Sequence, residues 1–177
     1  MTAEAEVIAL RRAVKSDIDD IAALYHSCIG IAGTTWNEYY PLRRDAERDL
    51  AVNGLYVAEV VCTTVCTTVC TTVCTTVGCV SVTRSELEAL AGWRMRGDGV
   101  LELSRLAVRP DCRGHGYAAD IISAVIRGLK NEGCPAVHLL AARSNRAAVR
   151  TYEKLGFELC GECRMYDIDF YMYEKLL

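Results

Sequence analysis

Apolar positions along the 177-residue chain switch repeatedly between a period of two and a period near 3.6, the pattern of a sheet with helices on its faces. Residues 7–13 read as the first strand. Ser16-Asp17-Ile18-Asp19 reads as a helix start of the capping-box type, and Ile18, Ile21, Ala22, Tyr25, Cys28 and Ile29 follow at helical spacing until Gly30. A second helix is predicted over 43–52, paired strands over 55–60 and 78–83, and a central strand over 99–108. The helix predicted over 116–132 carries the stripe Ile121, Ile122, Val125, Ile126 and Leu129, which fits it to the sheet. A strand over 136–142, a helix opened by Asn145 and closed by Gly156, and strands over 157–162 and 165–174 complete the chain.

The junction Arg113-Gly114-His115-Gly116-Tyr117-Ala118 joins the central strand to the striped helix. Glycine has no side chain to hold an anion away from the main chain, and a helix N-terminus adds roughly half a positive charge. Such a turn is a cradle for a pyrophosphate.

Two motifs together carry a family resemblance. Arg113, Gly116 and Ala118 form Arg-x-x-Gly-x-Ala after Leu106-Ala107-Val108-Arg109-Pro110, which resembles the coenzyme A loop of the GNAT superfamily of acyl-CoA-dependent N-acetyltransferases. Asn145, Ala148, Tyr152 and Glu153-Lys154-Leu155-Gly156-Phe157 resemble that superfamily's second signature. The resemblance implies an α/β (α+β) fold with a mixed, largely antiparallel central sheet flanked by helices. It also implies acetyl-CoA as co-substrate, held by Leu106, Ala107, Val108, Arg113, Gly114, His115, Gly116, Tyr117, Ala118 and Asn145. For His115 a solvated loop side chain is the plainer alternative, and Asn145 divides between helix cap and coenzyme contact.

Acetyl transfer to an amine needs a proton acceptor, a polarised thioester carbonyl and a proton for the departing thiolate. Glu102 stands where relatives using a strand carboxylate carry their general base, with leucines on either side that favour its neutral form. The alternative is a structural carboxylate paired with an arginine. A backbone N–H near Leu106 is the implied carbonyl donor, and Tyr152 the implied acid, unless its ring is simply core. Cys112 has no histidine in a sequence relation that would activate it, so direct transfer in a ternary complex is expected rather than a cysteine intermediate. A catalytically silent acetyl-CoA-binding sensor is the competing function.

Trp36, Tyr39 and Tyr166 lie in the two segments that border the acceptor cleft in similar proteins, beside Glu38, Tyr40, Asp167 and Asp169. An acidic and aromatic lining suits a small cationic amine or a peptide or protein amine. The alternative is that these aromatics cap the core from outside.

Composition narrows the class. A hydrophobic content of 51% fills one core, so residues 1–177 are expected to form a single domain. A net charge of −3 argues against a nucleic-acid surface. Between Arg94 and Lys154, however, eleven Lys/Arg face six Asp/Glu, and Arg109, Arg113, His115, Arg143, Arg146 and Arg150 could draw phosphates. The first residues lack an apolar leader segment and no run of ~18 apolar residues occurs, so a cytoplasmic protein without membrane association is expected. The sequence leaves a homodimer open.

Residues 61–77 are four Val-Cys-Thr-Thr units and a final Val, a low-complexity insert between two strands. Val and Thr favour strand, which predicts an extended hairpin. A turn centred on Thr68 would oppose Cys62 to Cys74 and Cys66 to Cys70. Successive cysteines on one strand stand ~13 Å apart, so no metal site is expected there. Cys160 and Cys163 read as residues of a turn between the final strands.

Overall fold

Helix stripes and strand alternation resolve into two layers of helices on one sheet. The computed structural model describes residues 7–65, 70–84 and 92–177. In chain order these form β1 (Val7–Arg12), α1 (Ile18–Ser27), α2 (Arg43–Ala51), β2 (Leu55–Val65), β3 (Cys70–Arg84), β4 (Leu101–Val108), α3 (Tyr117–Asn131), β5 (Ala136–Ala142), α4 (Arg146–Lys154), β6 (Glu158–Met165) and β7 (Ile168–Leu176). The sheet order is β1-β2-β3-β4-β5-β7-β6, with β4 and β5 parallel and the other neighbours antiparallel. The mixed, mostly antiparallel sheet expected from the resemblance is therefore present. No described helix is long and apolar enough to cross a membrane.

One face of the sheet buries Ile121, Ile122, Val125 and Leu129 of α3 and Val149 of α4 against Val80, Leu103, Leu139 and Tyr173. Each fully buried aliphatic side chain contributes roughly 1.5–3 kcal/mol relative to exposure, which fixes α3 and hence the aim of its N-terminus. The other face buries Ile18, Ile21, Leu24 and Tyr25 of α1 and Ala46 of α2 against Leu55, Val57, Cys79 and Ala107.

Several local expectations are corrected. Residues Lys15–Asp17 form a 3-10 turn, and the Asp17 carboxylate, rather than Ser16, closes it by accepting the Val14 N–H at 2.7 Å while pairing with Arg11 at 2.7 Å. β6 runs to Met165, so Cys160 and Cys163 lie within a strand, and the turn falls at Tyr166-Asp167, both with positive φ.

The repeat lengthens β2 and β3, whose connection at 66–69, Cys66 included, lies outside the described residues; the expected Cys66–Cys70 pairing is not kept, since Cys70 stands opposite Val65. Cys62 does not oppose Cys74: the register sets Cys62 opposite Val73 and Cys74 opposite Val61. The cause is a bulge, since Ala58 faces Gly78 but Glu59 faces Thr76, leaving Val77 extra. One inserted residue offsets the whole cysteine ladder by one.

Candidate active site

β4 and β5 leave the N-terminal end of their pairing as neighbours and then part. Among the described residues they are joined at Leu101↔Val137 and Glu102↔His138 and nowhere beyond. The edges of residues 103–108 and 139–142 that face each other are consequently free of a shared ladder, and the sheet opens toward its C-terminal strand ends. An extended chain with its own amides can enter such an opening.

The glycine turn stands at the mouth. Gly114 and Gly116 have φ of +85° and +87°, a left-handed conformation that side chains resist, and Gly116 is the N-cap of α3. The first N–H drawn into the helix is that of Ala119, bonded to Gly116 O at 2.9 Å, so the turn before it presents main-chain donors at the positive end of α3. A Cβ at either glycine would meet nothing within 4 Å, so the space over the turn is open. Arg113 folds back on the loop, its Nε donating to Val108 O at 3.3 Å and its Nη2 to Cys28 Sγ at 3.3 Å. His115 is exposed, with Nδ1 at 3.1 Å from Arg113 O and its ring stacked on Tyr117 at 5.8 Å.

At the closed end of the opening, Glu102 is half-buried and shares a sheet face with His138 and Glu174, its successive register neighbours across β5 and β7. His138 and Glu174 are wholly buried and joined Nε2 to Oε2 at 2.8 Å. Glu174 also accepts the Met95 N–H at 2.9 Å and Arg94 Nε at 3.1 Å, and Trp93 stacks on His138 with ring centroids 4.0 Å apart. This packing fixes the point at which the strands diverge.

The β4 wall carries a second bulge. Ser81 faces Ser104 and Cys79 faces Ala107, so Val80 opposes both Arg105 and Leu106. Leu103 and Ala107 would share a face in a regular strand, yet they enter opposite cores. Arg105 takes φ +49° and donates to both Asp49 carboxylate oxygens at 2.7 Å. Burial works against the Arg105 charge, but Tyr40 and Asp49 outweigh it and raise its pKa.

The second signature frames the other side. Asn145 caps α4, its Oδ1 accepting the Ala148 N–H at 3.1 Å. Tyr152, one face of α4, packs beside Phe157 and Tyr173 at 5.7 and 6.3 Å between ring centroids, and desolvation pushes its phenol up to about 12. Tyr152 packs with Leu101 and Leu103 on one face of the sheet, and Glu102, between those leucines in β4, belongs to the other. Gly33, in the α1–α2 connection, lies against Asn145: a Cβ there would sit 3.2 Å from the Asn145 Cα. That connection therefore reaches across to the start of α4.

The aromatic candidates divide. Trp36 is half-buried edge-to-face on Tyr25 at 5.5 Å and packs on the α1–α2 core. Tyr39 is 73% exposed and Tyr166 is 89% exposed at the β6–β7 turn, so neither lines a closed pocket.

Residues 77–166, about half of the chain, match the family described as FR47-like protein. The chain belongs to the FR47-like branch of the GNAT superfamily. An acetyltransferase of Pectobacterium atrosepticum is 43% identical over 53 residues, which cover 30% of this chain and 38% of the length of that relative. The fold is shared with a GNAT-family acetyltransferase from Streptococcus agalactiae (TM-score 0.75, 20% identity, 96% of this chain and 95% of that one). It is shared as well with the ribosomal-protein-S18-alanine N-acetyltransferase from Escherichia coli (TM-score 0.68, 14% identity, 96% and 94%).

Within this GNAT fold the basic segment is less available than its count suggests. Arg109 pairs with Asp111 at 2.5 Å and Arg143 with Glu162 at 3.0 Å. Arg146 and Arg150 line a different cavity between α4 and β6–β7, with Leu159 and Tyr171. Arg113 stays at the turn. Sequence reasoning missed Asp49, Arg105 and the His138–Glu174 pair. Asp45 and Asp49 recur at i, i+4 beside Ala46 on the buried side of α2, and an acid on an apolar stripe was the available signal.

Proposed function

We propose that this protein is an N-acetyltransferase that moves the acetyl group of acetyl-CoA to a primary amine by direct transfer in a ternary complex. The observation that carries the reading is the parting of β4 from β5 immediately beside the glycine turn at the α3 N-terminus. A pantetheine arm pairs with the open β4 edge, and the pyrophosphate sits on the main-chain donors of residues 114–118 beside the Arg113 side chain. Leu106, Ala107 and Val108 supply the β4 edge, and Asn145 borders it from α4.

In the chemical step the neutral amine nitrogen attacks the thioester carbonyl carbon. Glu102 takes the amine proton, directly or through water, the Leu106 N–H stabilises the oxygen as charge develops, and the carbon–sulfur bond breaks. The thiolate accepts the phenol proton of Tyr152, leaving an amide and the free thiol. A phenol held at about 12 is fully protonated at neutral pH, as this role requires. Acceptors are small cationic amines or peptide and protein amines that enter past Tyr39, Tyr40 and Trp36 from the α1–α2 side.

Incubation with acetyl-CoA and pooled polyamines, amino acids, aminoglycosides and peptides, followed by mass spectrometry, tests the reading. A product that disappears in Glu102→Gln or Tyr152→Phe supports it and names the acceptor class. Binding of acetyl-CoA with no product from any pool would instead favour a sensor.

A further inference from the structure

An arginine occupies the left-handed position of the β4 bulge, where glycine is the usual residue because it has no Cβ to clash. Such a conformation persists when the surroundings over-determine it. Arg105 is held by two 2.7 Å bonds to Asp49, by Ser81 Oγ at 3.3 Å from Nε, and by Tyr40 OH at 3.2 Å from Nη1. Ser81 Oγ in turn donates to Asp49 Oδ2 at 2.5 Å. The Arg105 side chain is 9% exposed and that of Asp49 2% exposed, so the fork is seated between β3, β4 and α2 rather than lying on the surface.

We propose that Asp49 and Arg105 are positioning residues for the thioester carbonyl. Their bidentate pair pins the bulge at Arg105-Leu106 to α2, and with it the direction of the Leu106 N–H, so the inference rests on the role given above to that N–H. Two parallel bonds fix the guanidinium plane as well as its place, which a lone lysine ammonium would not do. Tyr40, on the acceptor-side connection and 42% exposed, ties the same fork to the segment that an amine must pass. Neither residue touches the reacting atoms; both act through the backbone they hold.

The test uses acetyl-CoA carrying 13C at the thioester carbonyl. Its chemical shift and carbonyl stretching frequency, bound against free, report polarisation by a donor and need no acceptor. A single change would leave a buried charge unpaired, so the decisive variant is Asp49→Asn with Arg105→Gly, which removes both charges and puts glycine where the bulge favours it. Calorimetry on the same samples measures acetyl-CoA affinity. We expect affinity within about threefold of wild type, because the pyrophosphate site is untouched, while the bound carbonyl signal moves at least halfway back to its free value. Tyr40→Phe, which keeps the charges paired, should shift it slightly in the same direction. A double variant that binds acetyl-CoA with the wild-type carbonyl signal overturns the proposal. Wild-type protein that binds acetyl-CoA without displacing its carbonyl signal overturns the Leu106 role itself, and absence of binding overturns the acetyltransferase reading; each result is distinguishable from the others.

Discussion

Glu102 stands opposite His138 at the last step that joins β4 to β5, so the carboxylate sits at the point where the sheet begins to open. His138 cannot drift from this position, because Glu174 holds its Nε2 and Trp93 covers its ring. The proposal that Glu102 is the general base rests on this place at the vertex. Glu102→Gln keeps the shape and removes the proton acceptor. Acetyl transfer should fall by about 10²–10⁴-fold with acetyl-CoA affinity retained, which steady-state kinetics and calorimetry together would check.

Much of this arrangement was legible because it depends on local chemistry. Gly114 and Gly116 announce a left-handed turn, the Ile121–Leu129 stripe announces the helix behind it, and Asn145 announces a cap; each element is specified by residues within a few positions of one another. Arg105 and Asp49 are 56 residues apart and meet only when α2 is laid on the sheet, so no window of sequence contains the pair. The cysteine register failed for a related reason. Val77 looks like any strand valine, and that it is the extra residue of a bulge is decided by how β2, β3 and β4 pack, not by its neighbours.

Tyr152→Phe separates packing from proton donation. The ring contacts with Phe157 and Tyr173 survive the change, so the melting temperature should stay close to wild type. Turnover should drop about 10²-fold or more, since the thiolate must then take its proton from water. With the wild-type phenol at about 12, no loss of rate between pH 8 and 10 is assigned to its ionisation. A wild-type rate that falls in that range, with no such fall in the slower Tyr152→Phe variant, would contradict the assignment.

Gly116→Ala probes the turn. A Cβ there meets open space, so the cost is conformational, about 1–2 kcal/mol for forcing φ +87° on a side chain or a loop that relaxes away from it. Either outcome disturbs the main-chain donors ahead of α3. The acetyl-CoA dissociation constant should rise roughly tenfold while the far-ultraviolet circular dichroism is unchanged, and an unaltered constant would remove the turn from the binding site.

Alkaline pH should unfold the protein through groups whose neutral forms are favoured inside. Burial raises Cys79 from 9.0 to about 12, Tyr152 and Tyr173 from 10.0 to about 12, and Tyr25 further still. A raised folded pKa means that the folded state holds its proton more tightly than the unfolded chain. The contribution of these groups is therefore fully present below pH 9 and is lost as pH rises toward 12. Melting temperatures measured from pH 8 to 11 should begin to fall near 9 in the wild type. In Cys79→Ala the fall between pH 9 and 10 should be shallower but not absent, because burial also raises the thiols of Cys134, Cys160 and Cys163.

The repeat is the segment whose removal should matter least. β1 follows β2 as far as Val7↔Val61, and β4 follows β3 from Gly78↔Val108, so beyond these pairs β2 and β3 have each other alone among the described residues. Val61 lies opposite Cys74, which is the geometry that a two-residue turn closes. Replacing residues 62–73 with Asn-Gly would keep that pair, the Val77 bulge and the bond from Arg109 N–H to Val77 O at 2.9 Å. Acetyl-CoA affinity and acetyl transfer should match the wild type within about twofold, and solubility should improve, since a Val/Thr/Cys strand sequence invites pairing between chains. A shortened protein that folds, binds acetyl-CoA and fails to transfer would give the repeat a part in the reaction.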